Sequence, residues 1–378
     1  MMISYPGLSK LKTKPVVYED VIAASDSGTL EQLKELSSKR KAIEDSINAS
    51  TFITEAIARE MSGGLTSRCE QDIQKLEKYL PLLNNLIHHI IVNAKSRQVM
   101  YWITEFKLRW SSVLSTPSLF PFQGPKLYQV NDIYFELGMS LFLYGSLLRE
   151  QALEVLSSDL VQSATLFRKA AGVYSYAAHE LNTNLSWTQE RPPEAISGVL
   201  SVMSLVCLAD AQAVSARKAQ ENGSTGGLLA KLHYGVADFL VEAINILQGA
   251  AKECKDISPR FLDFLLCCKT VHELTSYKYH VQGLRTNGNI GIGIGILRWA
   301  LAKAKKIIPK EESWRLVYHQ VIGELDGLLQ KYEHENGFVW HEKIPFVDDE
   351  LPLPQAVRIV SPLPYHPQKW ERALMFKL

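Results

Sequence analysis

Hydrophobic residues along this chain recur mostly at steps of three, four, six or seven, which is the spacing of one face of an α-helix. One early stripe consists of Leu30, Leu33, Leu36, Ile43, Ile47, Ile53 and Ile57. Gly63-Gly64 follows this stripe and predicts the end of its helix. Ser67 and Glu70 then form a capping-box pattern for a second helix, which Pro81 is predicted to break or restart.

Longer helical blocks occupy the middle of the chain. Apolar periodicity predicts them over roughly 132–156, 160–181, 193–219 and 227–252, with further helices at Ser258-Pro259 and after Pro309. Long helices joined by short turns pack as antiparallel neighbours. The pattern therefore predicts a mostly α protein with a core of helical hairpins of the tetratricopeptide type, although no strict repeat period survives counting.

The two ends of the chain differ from this helical body. Residues 1–28 contain Pro6, Pro15 and a short β-prone run, which predict an N-terminal strand or hairpin. The final 34 residues hold six of the 16 prolines and are predicted to be extended along the helices. We therefore expect one domain over 1–370, with a helical body over 29–335, an extended return over 336–370 and a short tail over 371–378.

Composition excludes several classes of protein. The chain has 378 residues, 41 basic and 40 acidic side chains and a net charge of +1, so it has no global field that would attract nucleic acid. Its five cysteines are an odd number and predict buried thiols in a reducing cytosol. The start of the chain has no signal-peptide pattern, and the longest apolar stretches fall short of the ~18 residues that a membrane span requires. These features predict a cytoplasmic protein.

No catalytic motif survives inspection. His272-Glu273 begins like a zinc-protease helix, but Ser276 stands where the second histidine is needed. The glycine run over 288–295 fits neither a dinucleotide-binding nor a P-loop pattern, and it is predicted to be a loop before a tightly packed helix. We therefore expect no enzyme activity, cofactor, metal site or small-molecule substrate. An enzyme that uses His272, Glu273 and His280 is the third and weakest alternative.

Several segments share order and spacing with one known family. They are residues 138–146, 160–174, 207–212, 227–232, 296–300 and 335–345. The last of them, ENGFVWHEKIP, is the most specific, although Trp340 stands where the family has Tyr. Together these segments resemble the BRO-one domain family over about 100–365. The resemblance implies a curved helical domain with a tetratricopeptide-like core, a small N-terminal β-hairpin or sheet and an extended proline-rich return.

The same resemblance implies a function without catalysis. Members of the family bind the C-terminal amphipathic helix of the filament-forming ESCRT-III subunit, and they act in endosomal sorting and at multivesicular bodies. We therefore expect a cytoplasmic adaptor that is recruited to endosomes, with a peripheral contact to the membrane. The alternative is a helical scaffold of the same fold that binds a different protein client.

The resemblance also indicates a partner-binding groove. It assigns Leu228 and Leu232, which lie one helical turn apart, to the apolar lining. Leu160 and Ile359 are weaker candidates. Ser215 replaces an aromatic anchor, and this replacement predicts an affinity about ten- to a hundredfold lower. Periodicity alone favours the simpler interpretation that Leu228 and Leu232 are both buried core residues.

Overall fold

Helices dominate the computed structural model, which describes residues 3–49, 67–116, 125–184, 190–307, 309–345, 351–369 and 372–378. Within these residues the helices are α1 (Ser27–Asn48), α2 (Arg68–Val92), α3 (Arg97–Glu105), α4 (Ile133–Val155), α5 (Leu160–Asn184), α6 (Ser197–Glu221), α7 (Gly226–Glu253), α8 (Pro259–Thr286), α9 (Ile290–Ala304) and α10 (Glu312–Glu335). Strands β1 (Leu108–Ser111) and β2 (Leu127–Val130) form one antiparallel pair. The predicted mostly α fold is confirmed.

Local capping explains where several helices begin. The Ser67 hydroxyl accepts a hydrogen bond from the Glu70 N–H at 3.1 Å, and Ser258 precedes Pro259 in the first turn of α8, as predicted. The prediction for Pro81 is wrong, because α2 continues through this residue. Leu80 and Leu83 on either side of it are buried, so core packing outweighs the loss of one backbone hydrogen bond. The predicted stop at 63–64 lies outside the described residues.

The middle of the molecule is a stack of consecutive helices. Each helix from α5 to α8 packs chiefly against the helices before and after it, as expected for helical hairpins, and α4 packs against α5 and α2. Its central member, α6, is long and apolar enough to resemble a membrane span, with a mean hydropathy of 1.7 in its most apolar window. However, 78% of that window is buried inside the protein, so α6 is the core helix of the stack.

The N-terminal segment joins the sheet through hydrogen bonds of Lys12, Thr13 and Lys14 to β1. The sheet lies at β1 and β2 rather than within residues 1–28, where a strand or hairpin was predicted, and Thr13 adds one bridge to Trp110. A buried ionic network explains this arrangement. The Arg40 guanidinium pairs with Glu136 and also donates to the Thr13 hydroxyl, and the Trp110 indole N–H donates to Glu136 at 2.7 Å. The N-terminal segment is thus held at Thr13 by side chains of the helical body rather than by a hairpin within residues 1–28.

The proline-rich return is extended, as predicted, and it crosses the stack in reverse order. Pro352 contacts α8 through His280, Val357 contacts α7, and the Leu363 N–H donates to the Arg168 carbonyl oxygen in α5 at 3.0 Å. Farther along, the ring of Tyr365 packs against α4. The return therefore fastens together helices that are already neighbours.

Residues 290–295 of the glycine run form the first part of α9 rather than the predicted loop, while Gly288 and Asn289 lie just before the helix. A Cβ atom on Gly291 would lie 2.5 Å from the carbonyl oxygen of Lys343, where the chain leaves α10. Glycine is needed there because the backbone approaches too closely for a side chain. Because this contact joins distant parts of the chain, local propensity cannot reveal it.

Candidate partner-binding face

The side chain of Gln212 connects the segments that carry most of the predicted groove residues. This fully buried side chain lies in α6. Its Nε2 donates to the carbonyl oxygens of Leu232 at 2.9 Å and Val357 at 2.8 Å, and its Oε1 accepts from the Ile359 N–H at 3.0 Å. One amide therefore joins α6, α7 and the return. We call this arrangement of Gln212, Leu232, Val357 and Ile359 the Gln212 junction.

Gly235 allows the return to lie against α7. A Cβ atom at this position would lie 2.2 Å from both the Gln212 Nε2 and the Val357 carbonyl oxygen. The Val357 N–H also donates to the Lys231 carbonyl oxygen at 3.2 Å. Sequence reasoning missed Gln212 and Gly235 as site residues. The signal for Gln212 was an amide within an apolar helical run.

The predicted groove residues are not equally accessible. Leu228 is 41% exposed and Ile359 is 55% exposed, whereas Leu232 is only 2% exposed. The expectation that the two leucines form one accessible stripe is therefore wrong for Leu232. Leu232 lies where its carbonyl oxygen accepts a hydrogen bond from Gln212, which also binds the return, whereas Leu228 lies one turn nearer the start of α7.

The other two predicted positions flank this region. Ser215 lies on α6, close in sequence to Gln212, and its hydroxyl donates to the Ala211 carbonyl oxygen at 2.9 Å. Its hydrogen bond is thus made within its own helix. Leu160 begins α5 and is half-buried against the core. The structure therefore places Leu232 and Ile359 in the Gln212 junction, Leu228 and Ser215 about one helical turn from it along α7 and α6, and Leu160 at the start of the preceding helix, α5.

Ionic contacts anchor the return beside Ile359. The Arg358 guanidinium pairs with Asp238 and Glu242, at 2.7 Å in each case, and it lies 4.2 Å from the centre of the Phe239 ring. The two carboxylates raise the pKa of Arg358, although burial opposes them. Partly exposed pairs of this kind contribute about 1 kcal/mol or less each, so the buried amide of Gln212 is the stronger constraint.

The residues of the enzyme hypothesis do not converge. His272 faces a cavity of about 510 Å³ between α6, α7, α8 and α10, where its Nδ1 lies 3.2 Å from the His233 Nδ1. Glu273 instead pairs with Lys269 at 3.0 Å, and the His280 Nε2 lies 2.8 Å from the Pro352 carbonyl oxygen. Each of the three side chains of this hypothesis thus has a different partner.

The two stacked histidines are neutral at pH 7. Burial lowers the pKa of His233 to about 4 and that of His272 to about 3, because the charged imidazolium would lose its hydration. Among the described residues, no group of three His, Cys, Asp or Glu side chains could hold a metal ion. The cavity is therefore lined by a stacked pair of neutral histidine rings, His233 and His272.

Comparison with known proteins decides the family. A profile of the BRO1-like domain matches residues 35–377, which is most of the chain. The chain belongs to the BRO1-like domain family. The resemblance seen in the sequence is thus confirmed, whereas the predicted domain boundaries at 28, 335 and 370 remain a prediction.

Relatives and solved structures agree with this BRO1-like assignment. The chain is 23% identical over 317 residues to the human BRO1 domain-containing protein BROX, and the alignment covers 79% of this chain and 74% of that protein. It is 25% identical over 260 residues to mouse programmed cell death 6-interacting protein, covering 68% of this chain but 28% of that longer protein.

The BRO1 fold extends over nearly the whole chain. A structure described as an ALIX BRO1 CHMP4C complex matches with a TM-score of 0.67 at 18% identity, covering 97% of this chain and 96% of that one. A structure described as the basis for endosomal targeting by the Bro1 domain matches with a TM-score of 0.64 at 15% identity, covering 96% and 91%. At these identities the matches establish the fold, and the partner needs a separate argument.

Proposed function

We propose that this BRO1-like protein is a non-enzymatic adaptor that binds the C-terminal amphipathic helix of an ESCRT-III subunit. The observation that carries the proposal is an accessible apolar surface beside the Gln212 junction, which Leu228 and Ile359 provide. The ALIX BRO1 domain, which shares this fold, has been solved in complex with CHMP4C. An endosomal role is supported by the Bro1 structure described as the basis for endosomal targeting.

The physical basis is recognition of a helix by an apolar surface. An amphipathic helix presents apolar side chains at i, i+3 and i+4, and it gains free energy when these leave water. Leu228 and Ile359 supply the exposed contacts, while Leu232 supports the backbone beneath the return. Leu160 and Ser215 flank the region. Because Ser215 provides no aromatic anchor, the complex is expected to be weaker than one that has such an anchor.

The site can be tested by titrating the purified chain with a fluorescent peptide of an ESCRT-III C-terminal helix. Leu228→Asp should weaken binding about tenfold or more, since it places a charge against the apolar face of the peptide. Val241→Asp is the matched control, because Val241 is 38% exposed and also lies on α7, but about 220° around the helix from Leu228. The control should bind normally. If Leu228→Asp also binds normally, the proposed site is wrong.

A second candidate function has the same fold and a different client. Ser215 favours it, because the family's aromatic anchor is absent at this position. In that case the unaltered chain would fail to bind ESCRT-III peptides. A gain of binding in Ser215→Phe would show that the lost anchor accounts for the failure.

We further propose that the adaptor moves from the cytoplasm to endosomes, where it makes a peripheral contact with the membrane.

A further inference from the structure

Three consecutive apolar side chains protrude where the chain leaves α10. Phe338 is 74% exposed, Val339 is 67% exposed and Trp340 is 44% exposed. They lie in a π-helical turn over 336–340 that continues α10. Residues of this kind are usually buried, so a contiguous exposed group of them indicates an interaction surface. We call residues 336–342 the aromatic knuckle.

Hydrogen bonds hold the aromatic knuckle in this open shape. The buried Asn336 side chain donates to the carbonyl oxygen of Glu342 and accepts from the Glu342 N–H, at 2.9 Å in each case. The His341 N–H donates to the Asn336 carbonyl oxygen at 2.8 Å, and His341 adopts a left-handed conformation with φ of 52°. This conformation is unfavourable for a residue with a side chain. The exposed side chains are therefore presented by a fixed backbone.

The knuckle is also fastened to α9. The Glu342 carboxylate accepts a hydrogen bond from the Gly291 N–H at 2.7 Å, at the start of that helix. The ring of His334 packs against Phe338 with 4.6 Å between the ring centres. The knuckle is thus held by contacts with both α9 and α10.

Exposed lysines flank the knuckle in the sequence. Glu333 pairs with Arg298 at 2.6 Å and Glu335 pairs with Arg285 at 2.7 Å, so both carboxylates are matched by a guanidinium. Lys331 lies in α10, seven residues before Phe338, and is exposed. Lys343 follows the knuckle directly and is exposed as well.

We propose that the aromatic knuckle inserts into the headgroup region of an anionic membrane. The inference rests on the peripheral membrane contact proposed above and names its site. Exposed tryptophan and phenylalanine side chains enter a bilayer interface without the shape complementarity that a protein partner requires. Exposed lysines beside such residues add attraction to acidic lipids. Acidic residues at 348–350 follow the knuckle in the sequence and would oppose this attraction. The experiment therefore compares binding to anionic and to neutral vesicles.

Vesicle co-sedimentation tests the proposal on the full chain. Vesicles of phosphatidylcholine with phosphatidylserine should retain the protein, and vesicles of phosphatidylcholine alone should retain much less. The double variant Phe338→Ser/Trp340→Ser should bind roughly tenfold less tightly, because two aromatic side chains no longer enter the apolar phase. Leu316→Ser is the matched control, since Leu316 is 70% exposed near the other end of α10, and it should bind normally.

Insertion has its own spectroscopic signature. Brominated acyl chains quench tryptophan fluorescence at the bilayer interface. Vesicles that contain them should therefore quench the fluorescence of the unaltered chain more than that of Trp340→Phe. Equal vesicle binding by the double variant, or equal binding to neutral and anionic vesicles, would overturn the proposal. The double variant should still bind the ESCRT-III peptide like the unaltered chain, so failure of the membrane site is distinguishable from failure of the proposed adaptor function.

Discussion

Two buried amides each fasten a segment of the chain in different parts of this protein, and the apolar residues beside them differ in exposure. At the Gln212 junction, an amide fastens the extended return over α7, and the neighbouring Leu232 is hidden. At the aromatic knuckle, the Asn336 amide fastens the chain as it leaves α10, and Phe338 is held in solvent. The comparison teaches that a firmly held segment can leave an apolar side chain either buried or exposed, so helical spacing alone does not decide which of them remain accessible.

The largest expected effect comes from charging the hidden leucine. Leu232→Asp should lower the free energy of unfolding by on the order of 4 kcal/mol, because a carboxylate would be buried where Leu232 is 2% exposed. Leu228→Asp, on the same helix, should change it by about 0.5 kcal/mol or less. Denaturant unfolding measures both. Similar losses in the two variants would contradict the difference in burial between the leucines.

An intermediate effect is expected from Gln212→Ala. This variant leaves two carbonyl oxygens and the Ile359 N–H without their partner, which should cost about 2 kcal/mol. Hydrogen exchange at the Ile359 amide should accelerate as the return loosens. Gln220→Ala on the exposed side of α6 is the control and should leave that amide protected. An unchanged Ile359 amide in Gln212→Ala would show that other contacts hold the return.

The smallest effect is expected from Asn336→Ala. The loss of two hydrogen bonds should cost about 1 kcal/mol, and the Glu342 amide should exchange faster, since it donates to the Asn336 side chain. Asn222→Ala, at the C-terminal end of α6, serves as the control. If the Glu342 amide keeps its protection in Asn336→Ala, the shape of the knuckle has another cause.

Local chemistry made much of the fold predictable. The Ser67 hydroxyl and the Ser258-Pro259 pair mark helix starts that depend only on nearby residues, and the structure has helices beginning at both. The apolar residues Ile73 and Leu76 follow at helical spacing and are buried in the core. Such features need no knowledge of distant parts of the chain.

Long-range contacts explain what sequence reasoning missed. Gln212 binds both the Leu232 carbonyl oxygen and the return, and the Gln212–Val357 bond joins residues 145 positions apart. The need for glycine at position 291 likewise depends on a distant group, the carbonyl oxygen of Lys343. The run Phe338-Val339-Trp340 has the composition of a buried segment, so its exposure could not be predicted from hydropathy.

The reverse path of the return also constrains how the protein is made. Its contacts with α5 and α6 join residues 193 and 147 positions apart, as in the bonds from Arg168 to Ser361 and from Ile359 to Gln212. During synthesis the helical stack emerges from the ribosome first, with the strip of surface for the return still uncovered. The return must then close over helices that were synthesised before it. Formation of these contacts therefore waits until residues 351–369 have been made.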